Sequence, residues 1–154
     1  MLRVLALLRH GLASGQDADA PLLDEGAAYL RRLGAMLEGE GWRPDAILAS
    51  PLLRAQDTAA IVAAAVGADA QRQSLRALLP ETDPDVALEA VVAAAPLASR
   101  ILVVAHMPLL GRMTQELIGD DPGFSPGTLV EIAREGGGVA RLLRRVGPRD
   151  VPTA

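Results

Sequence analysis

The sequence predicts an α/β fold: a three-layer sandwich whose mostly parallel sheet carries helices on both faces, with an antiparallel element at the carboxyl end. Short apolar runs, typical of buried strands, alternate with longer segments of helical period. The last two such runs, 128–133 and 139–143, flank Gly136-Gly137-Gly138 with no helix between them, which predicts a hairpin. With 154 residues, half of them hydrophobic, we expect a single domain over residues 1–154.

The first strand and the first helix are separated by a polar loop. Leu2–Leu8 is apolar apart from Arg3, which is typical of a strand buried on both faces of a sheet. Residues 11–21, rich in Gly, Asp and Ser, predict a loop, and Asp24 is expected to cap the helix that follows. Gly39 and Gly41 end that helix. The helix has an apolar stripe formed by Ala27, Leu30, Leu33 and Leu37.

A second strand and helix follow directly. Ala46–Ala49 predicts a short strand, and Ser50-Pro51 predicts a helix start with Ser as the cap and Pro in the first helical position. Gly67 ends this helix, and residues 71–79 are expected to give a short edge strand and then a loop. The buried stripe of the helix is predicted to be Thr58, Ile61, Val62 and Ala65.

The remaining elements are predicted in the same way. Asp83-Pro84 opens a third helix, Ile101–Ala105 is the clearest internal strand, and a fourth helix begins after Pro108. Residues 146–154, which include two prolines, predict a loose tail. The third helix is expected to bury Leu88, Val91, Val92 and Ala95, and the fourth Leu110, Met113 and Leu117.

Composition narrows the classes of function. The formal net charge of −4 disfavours a nucleic-acid or anionic-membrane surface, because such binders carry a basic stripe. The absence of cysteine excludes disulfides, thiolate metal sites and cysteine nucleophiles, and agrees with a cytoplasmic location. The apolar start is too short to span a membrane and lacks the features of a signal peptide.

Polar residues follow three of the predicted strands. The first strand leads into Arg9 and His10, the second into Ser50 with Arg54 one helical turn later, and the inner third into His106. Carboxyl ends of parallel strands share one edge of a sheet, where ligands bind. Each residue alone also has an ordinary interpretation. A histidine at a strand end is often simply hydrogen-bonded in the core or at the surface, Arg54 could be a solvated helix residue, and Ser50 could be only a helix cap. Their shared placement is what indicates a site.

This residue set suits phosphoryl transfer. Two guanidiniums supply forked donors for phosphoryl oxygens, and a neutral imidazole nitrogen attacks phosphorus to form a covalent phosphohistidine. The arginines are expected to lower the pKa of His10 and keep it nucleophilic, while His106, if protonated, would hold an oxygen. Two histidines without clustered carboxylates make a poor metal site, so neither a metal nor another cofactor is expected.

Four motifs in order resemble the histidine phosphatase superfamily, the phosphoglycerate mutase-like fold. They are Leu8-Arg9-His10-Gly11, the Ser-Pro-x-x-Arg-Ala-x-x-Thr pattern within 50–58, the strand running into His-x-Pro at 103–108, and Leu23-Asp24-Glu25-Gly26, where Asp replaces the usual Thr. The resemblance spans roughly the whole chain. Its short length is most similar to the phosphohistidine phosphatase (SixA) branch.

The resemblance implies roles for single residues and a class of substrate. His10 would be the nucleophile, with Arg9, Arg54 and His106 forming the phosphate pocket. Larger members carry an acidic Glu where this chain has Pro80, so the adjacent Glu81 is a weak candidate for that acid and Ser50 a weak phosphate ligand. The implied substrate is a protein that bears phosphohistidine, such as a histidine phosphotransfer domain in bacterial signal transduction, with inorganic phosphate as product.

Two alternatives remain open at this point. The same chemistry could serve a small-molecule phosphate ester, against which Pro80 argues mildly because an alkoxide leaving group needs more help from an acid. A chain with the same pocket could instead bind a phosphorylated partner without turnover, although the presence of all four pocket residues disfavours this interpretation.

Overall fold

The protein was analysed as a computed structural model, which describes residues 2–135 and 138–153. Within these residues the chain forms six strands, four α-helices and two short 3-10 helices. In chain order these are β1 (Leu2–Arg9), α1 (Asp24–Gly39), β2 (Ala46–Ala49), α2 (Leu53–Val66), β3 (Gln71–Ser74), a 3-10 helix (Arg76–Leu78), α3 (Pro84–Ala94), β4 (Arg100–Ala105), α4 (Leu109–Ile118), β5 (Leu129–Glu135), β6 (Ala140–Val146) and a 3-10 helix (Pro148–Asp150).

The strands form one mixed sheet, which confirms the predicted α/β architecture. Their order is β3-β2-β4-β1-β5-β6, with β1 to β4 parallel, β5 antiparallel to β1, and β6 antiparallel to β5. The predicted edge strand is β3. The predicted antiparallel hairpin is formed by β5 and β6, and Gly136 and Gly137 of its turn lie outside the described residues.

Helices cover both faces of the sheet, and each strand contributes alternate residues to the two cores. In β4, Ile101 and Val103 face α3 and α4, whereas Leu102 and Val104 face α1 and α2. All four side chains are buried, as expected for a strand in the middle of a parallel sheet. Within the described ranges, no helix is long and apolar enough to cross a membrane.

Both predicted caps at the first two helices are wrong. Asp24 is the first residue of α1, and Leu23 before it makes no side-chain cap hydrogen bond. The helix α2 begins three residues after Ser50, with Leu52 in the cap position. Asp24 still suits the helix start because its carboxylate lies in the first turn, where the helix dipole favours negative charge. Ser50 instead bonds to a residue on another strand, as described below.

Two further predictions about packing need correction. Val92 was expected in the buried stripe of α3, but it is 42% exposed, and the sheet-facing residues there are Ala87 and Val91. The predicted loose tail, 146–154, is anchored to the fold as far as Val151. Val146 ends β6, and Val151 is buried in the core on the α1–α2 face of the sheet. The backbone amide of Gly147 also donates to the carboxylate of Asp150 at 2.8 Å.

Candidate active site

The ends of β1, β2 and β4 bring the predicted polar residues to one edge of the sheet. Arg9 pairs in register with Ala105, so His10 and His106 follow directly on adjacent strands. The amide of His10 donates to Ala105 O at 3.1 Å, and that of Ser50 to Val104 O at 3.0 Å. The backbone ladder of the sheet therefore continues into the site and fixes where each side chain starts.

The hydrogen bonds of His10 define which ring nitrogen carries the proton. Nδ1 lies 2.8 Å from the carbonyl oxygen of Gly11, which only accepts, so Nδ1 carries the hydrogen and donates. Nε2 accepts from Nε of Arg54 at 3.3 Å. The ring is 8% exposed. Nε2 of His10 therefore presents a lone pair beside a guanidinium, which is the arrangement required of a nitrogen nucleophile.

His106 lies against His10 and is held from its other side. The two ring centroids are 5.1 Å apart with an interplanar angle of 53°. Nε2 of His106 lies 2.7 Å from Oγ of Ser50, and both side chains are buried. Among the residues that the structure describes, Nδ1 of His106 is buried without a hydrogen-bond partner.

Two arginines border the imidazole pair. Nη1 of Arg9 donates to Phe124 O at 2.7 Å, and Nη1 of Arg54 donates to Asp17 O at 3.0 Å in the loop after β1. These carbonyls hold the guanidinium groups in place without neutralising their charge. The site thus keeps two positive charges next to the unprotonated Nε2 of His10, and it suits a compact anion that bears several oxygens.

Burial and the two arginines make both imidazoles weak bases. Desolvation, with smaller contributions from the charges of Arg54 and Arg9, lowers the pKa of His10 to about 4, although the hydrogen bond to Gly11 opposes the shift. Desolvation, followed by the influence of His10 and the arginines, lowers the pKa of His106 to about 3. The predicted direction for His10 is therefore found, but His106 is neutral in the free site at pH 7.

We expect neither imidazole to gain a proton between pH 8 and pH 5. Both folded-state pKa values lie below the ordinary value of 6.5, so the unfolded chain takes up protons first as the pH falls. Stability should consequently decrease as the pH falls from about 6.5 towards 4. A proton NMR titration of the two rings, with urea unfolding at pH 7 and pH 5, measures both effects. A midpoint near 6.5 for either ring would contradict the expectation.

A threonine on α2 that sequence reasoning assigned to packing alone also organises the site. Oγ1 of Thr58 accepts from the amide of Gly11 at 3.0 Å and donates to Arg54 O at 2.7 Å. It therefore ties the residue after His10 to the helix that carries Arg54. Its place in the Ser-Pro-x-x-Arg-Ala-x-x-Thr pattern was the signal that could have identified it.

The loop after His10 packs on the first turn of α1, where only glycine fits. A Cβ at Gly26 would overlap the carbonyl oxygen of Leu12 and lie 3.0 Å from its amide nitrogen. We therefore expect Gly26→Ala to displace the loop and to lower the free energy of unfolding by about 1–3 kcal/mol. Urea unfolding and phosphate release are the measurements.

Gly39 supplies the matched control in the same helix. A Cβ there would meet no atom within 4 Å, so Gly39→Ala should be neutral or stabilising by about 0.4–1 kcal/mol. Equal stabilities for the two variants would show that the contact between Gly26 and Leu12 does not constrain the loop.

Glu81 is the one predicted site residue that lies apart from this cluster. Its side chain is 79% exposed and lies 3.8 Å from Nη1 of Arg112 on α4. Among the described residues, its recorded polar contact is with this arginine and not with either histidine. Within residues 2–135 and 138–153, no group of three or more His, Asp or Glu residues is arranged to hold a metal ion.

Comparisons with known proteins agree with this geometry. Residues 5–83 match the family model of the histidine phosphatase superfamily (branch 1). The phosphohistidine phosphatase SixA of Escherichia coli (strain K12) is 31% identical over 128 residues, which covers 78% of this chain and 75% of that protein.

Two solved structures share the fold. The protein histidine phosphatase SixA complexed with tungstate has a TM-score of 0.87 at 24% identity, covering 96% of this chain and 98% of that chain. A phosphoglycerate mutase from Bacillus anthracis str. Sterne has a TM-score of 0.76 at 15% identity, covering 92% and 91%. The fold is therefore the phosphoglycerate mutase-like one that the motifs implied.

Proposed function

The chain belongs to the histidine phosphatase superfamily, and from this premise we propose that it is a phosphatase that acts through a covalent phosphohistidine on His10. The observation that carries the proposal is the lone pair on Nε2 of His10, which is set by the Nδ1–Gly11 hydrogen bond and lies beside Arg54. We further propose that Arg9, Arg54 and His106 bind the phosphoryl oxygens.

In the first proposed step, Nε2 of His10 attacks the phosphorus of the substrate. A bond from nitrogen to phosphorus forms, and the bond from phosphorus to the leaving atom breaks. The nucleophile needs no general base, because burial and two cations already keep it unprotonated at neutral pH. The guanidiniums of Arg9 and Arg54 stabilise the charge on the equatorial oxygens while the phosphoryl group is transferred.

In the second step, water attacks the phosphorus of phospho-His10. The bond from phosphorus to Nε2 breaks and its pair of electrons returns to the ring, while inorganic phosphate leaves as the dihydrogen anion, which keeps both protons of the water. Nδ1 keeps its proton through both steps because Gly11 O holds it, so the ring returns as the same tautomer.

We propose phosphohistidine on a protein as the substrate, because the pocket has little to offer a poor leaving group. A phosphoimidazole that is protonated on its other ring nitrogen leaves as a neutral imidazole, whereas an alkoxide requires a general acid. Here the position of the family's acid is Pro80, and Glu81 points to solvent. One relative with 31% identity is named as a phosphohistidine phosphatase, which supports the same substrate class.

We propose that this substrate is a histidine phosphotransfer protein in a cytoplasmic signalling relay. Phosphoryl groups in such relays are carried on exposed imidazoles, which present a phosphoryl group at the end of a side chain. His10 and His106 follow adjacent strands at one edge of the sheet with ring centroids 5.1 Å apart, and a site this compact suits a single phosphoryl group.

Phosphate release from a panel of substrates tests the proposal. The panel contains a phosphohistidine protein, free phosphoimidazole and several small phosphate esters, each with the enzyme in EDTA. We expect release mainly from the two phosphoramidates. Quenching in alkali with detergent at short times should trap radioactive phosphate on His10 in a form that is stable to base and lost in acid.

The other outcomes have separate meanings. Preference for one ester would keep the mechanism but reject the proposed substrate. Binding of phosphoprotein without release from any substrate would reject turnover and support a binding module. Loss of activity in EDTA would reject metal independence.

A further inference from the structure

The hydroxyl of Ser50 lies between a backbone donor and the imidazole of His106. The amide of Leu52 donates to Oγ at 3.3 Å, and Oγ lies 2.7 Å from Nε2 of His106. Ser50 is completely buried, so water does not compete for this hydroxyl. Because Oγ already accepts one hydrogen bond, its own hydrogen is free to point at Nε2.

We propose that Ser50 is a positioning residue that keeps the single proton of neutral His106 on Nδ1, where it is available to a phosphoryl oxygen. Donation from Oγ–H to Nε2 requires a lone pair on Nε2, and a neutral imidazole then carries its hydrogen on Nδ1. Nδ1 is the nitrogen that is buried without a partner among the described residues. The opposite tautomer would present a lone pair to the anion and repel it.

The same hydroxyl also fits the ring after an anion binds. A phosphoryl group near Arg9 and Arg54 raises the pKa of His106, because a negative charge favours the imidazolium. The charged groups near this ring are those two arginines and, on protonation, His10. When Nε2 also gains a proton, Oγ turns its hydrogen away and accepts instead. Ser50 thus holds His106 in one orientation through both charge states, without movement of the ring.

The assignment differs from the role that the sequence suggested for this residue. Ser50 is not the helix cap, because Leu52 holds that position, and its hydroxyl contacts Nε2 of His106. It acts on the substrate only through that ring. The inference rests on the proposed function, since it takes the ligand of the pocket to be a phosphoryl group.

The proton on His106 is measured directly by nitrogen-15 NMR of the imidazole rings. The chain has two histidines, and the spectrum of His10→Ala assigns the remaining ring. We expect wild-type His106 to be neutral at pH 7 with its proton on Nδ1. In Ser50→Ala we expect a population with the proton on Nε2. A wild-type ring protonated on Nε2 would overturn the proposal, whatever the activity of the protein.

Kinetics and phosphate binding complete the test. Ser50→Ala should lower kcat/KM for phosphoimidazole ~10-fold to ~100-fold, the range typical of partners that orient a functional histidine. It should weaken binding of inorganic phosphate, measured by calorimetry. Ser99→Ala, a change of the same size at an exposed position just before β4, should alter neither. Unchanged phosphate affinity and unchanged tautomer in Ser50→Ala would overturn the proposal.

These readouts separate this inference from the proposed function. If no substrate is hydrolysed but the NMR and phosphate-binding results are as expected, phosphatase turnover fails while the role of Ser50 stands. If phosphohistidine protein is hydrolysed and Ser50→Ala behaves as wild type, the role of Ser50 fails and the proposed function stands.

Discussion

Replacing His10 with alanine is expected to lower phosphate release by about 10³-fold or more, since a covalent route loses its only nucleophile. Nε2 of His10 carries a lone pair and accepts a hydrogen bond from Arg54. Nε2 of the neighbouring His106 is hydrogen-bonded to Ser50. No trapped phosphoenzyme should form from any substrate of the panel. Phosphate release and labelling after an alkaline quench, both compared with wild type, measure the effect.

The His10→Ala variant should nevertheless fold. The side chain ends a strand and lies in a polar pocket, and its loss leaves Gly11 O without this donor, which costs about 1–3 kcal/mol. Circular dichroism and urea unfolding check this point, and retained binding of inorganic phosphate shows that the other pocket residues are in place. Wild-type turnover in a folded His10→Ala protein would exclude the covalent mechanism proposed here.

Replacing Arg54 with alanine is expected to weaken both phosphate binding and turnover. The guanidinium of Arg54 is in direct contact with the ring of His10, the proposed nucleophile, and the loss of one such donor costs about 10²- to 10³-fold in rate. Because the charge of Arg54 also lowers the pKa of His10, that pKa should rise in the variant. Steady-state kinetics, calorimetry with phosphate and an NMR titration measure the three effects.

Two other variants control for charge and shape at Arg54. Arg31→Ala removes one positive charge from the exposed face of α1 and should change neither phosphate affinity nor rate. Arg54→Lys keeps the charge but loses the planar fork, so it should recover phosphate affinity only in part. If Arg54→Ala bound phosphate as tightly as wild type, this residue would not belong to the phosphate pocket.

The edge of the sheet at which the site forms was predictable because burial leaves a simple pattern in strands. A strand covered on both faces requires an unbroken apolar run, so the polar residues that follow the run mark the end of the strand. His10, after Arg9, and His106 stand at such ends, and β1 and β4 prove to be neighbours. The sequence does not contain the strand order, but any parallel arrangement brings these ends to one edge.

The errors occur where local signals compete with tertiary contacts. Ser50 and Pro51 have the composition of a helix start, but the serine hydroxyl bonds to His106 instead of the helix amides, and α2 begins later. The prolines near the end of the chain suggested a loose tail, whereas Val151 reaches the core through a contact invisible in local composition. Thr58 was predicted only as a buried residue of the helix stripe, but its hydroxyl also accepts a hydrogen bond from Gly11 in the loop after β1. The apolar pattern of a helix does not reveal such a contact.

The position of β4 between β1 and β2 has a consequence for the order of events during synthesis. The first two strands leave the ribosome early but are not neighbours in the finished sheet, and each pairs with residues 100–105 instead. Contacts so distant in sequence form late and slowly. We therefore expect a nascent chain that has not yet incorporated β4 to lack the contact between His10 and His106. Completion of the site requires insertion of this central strand and also the later segment that carries Phe124, whose carbonyl oxygen accepts from Arg9.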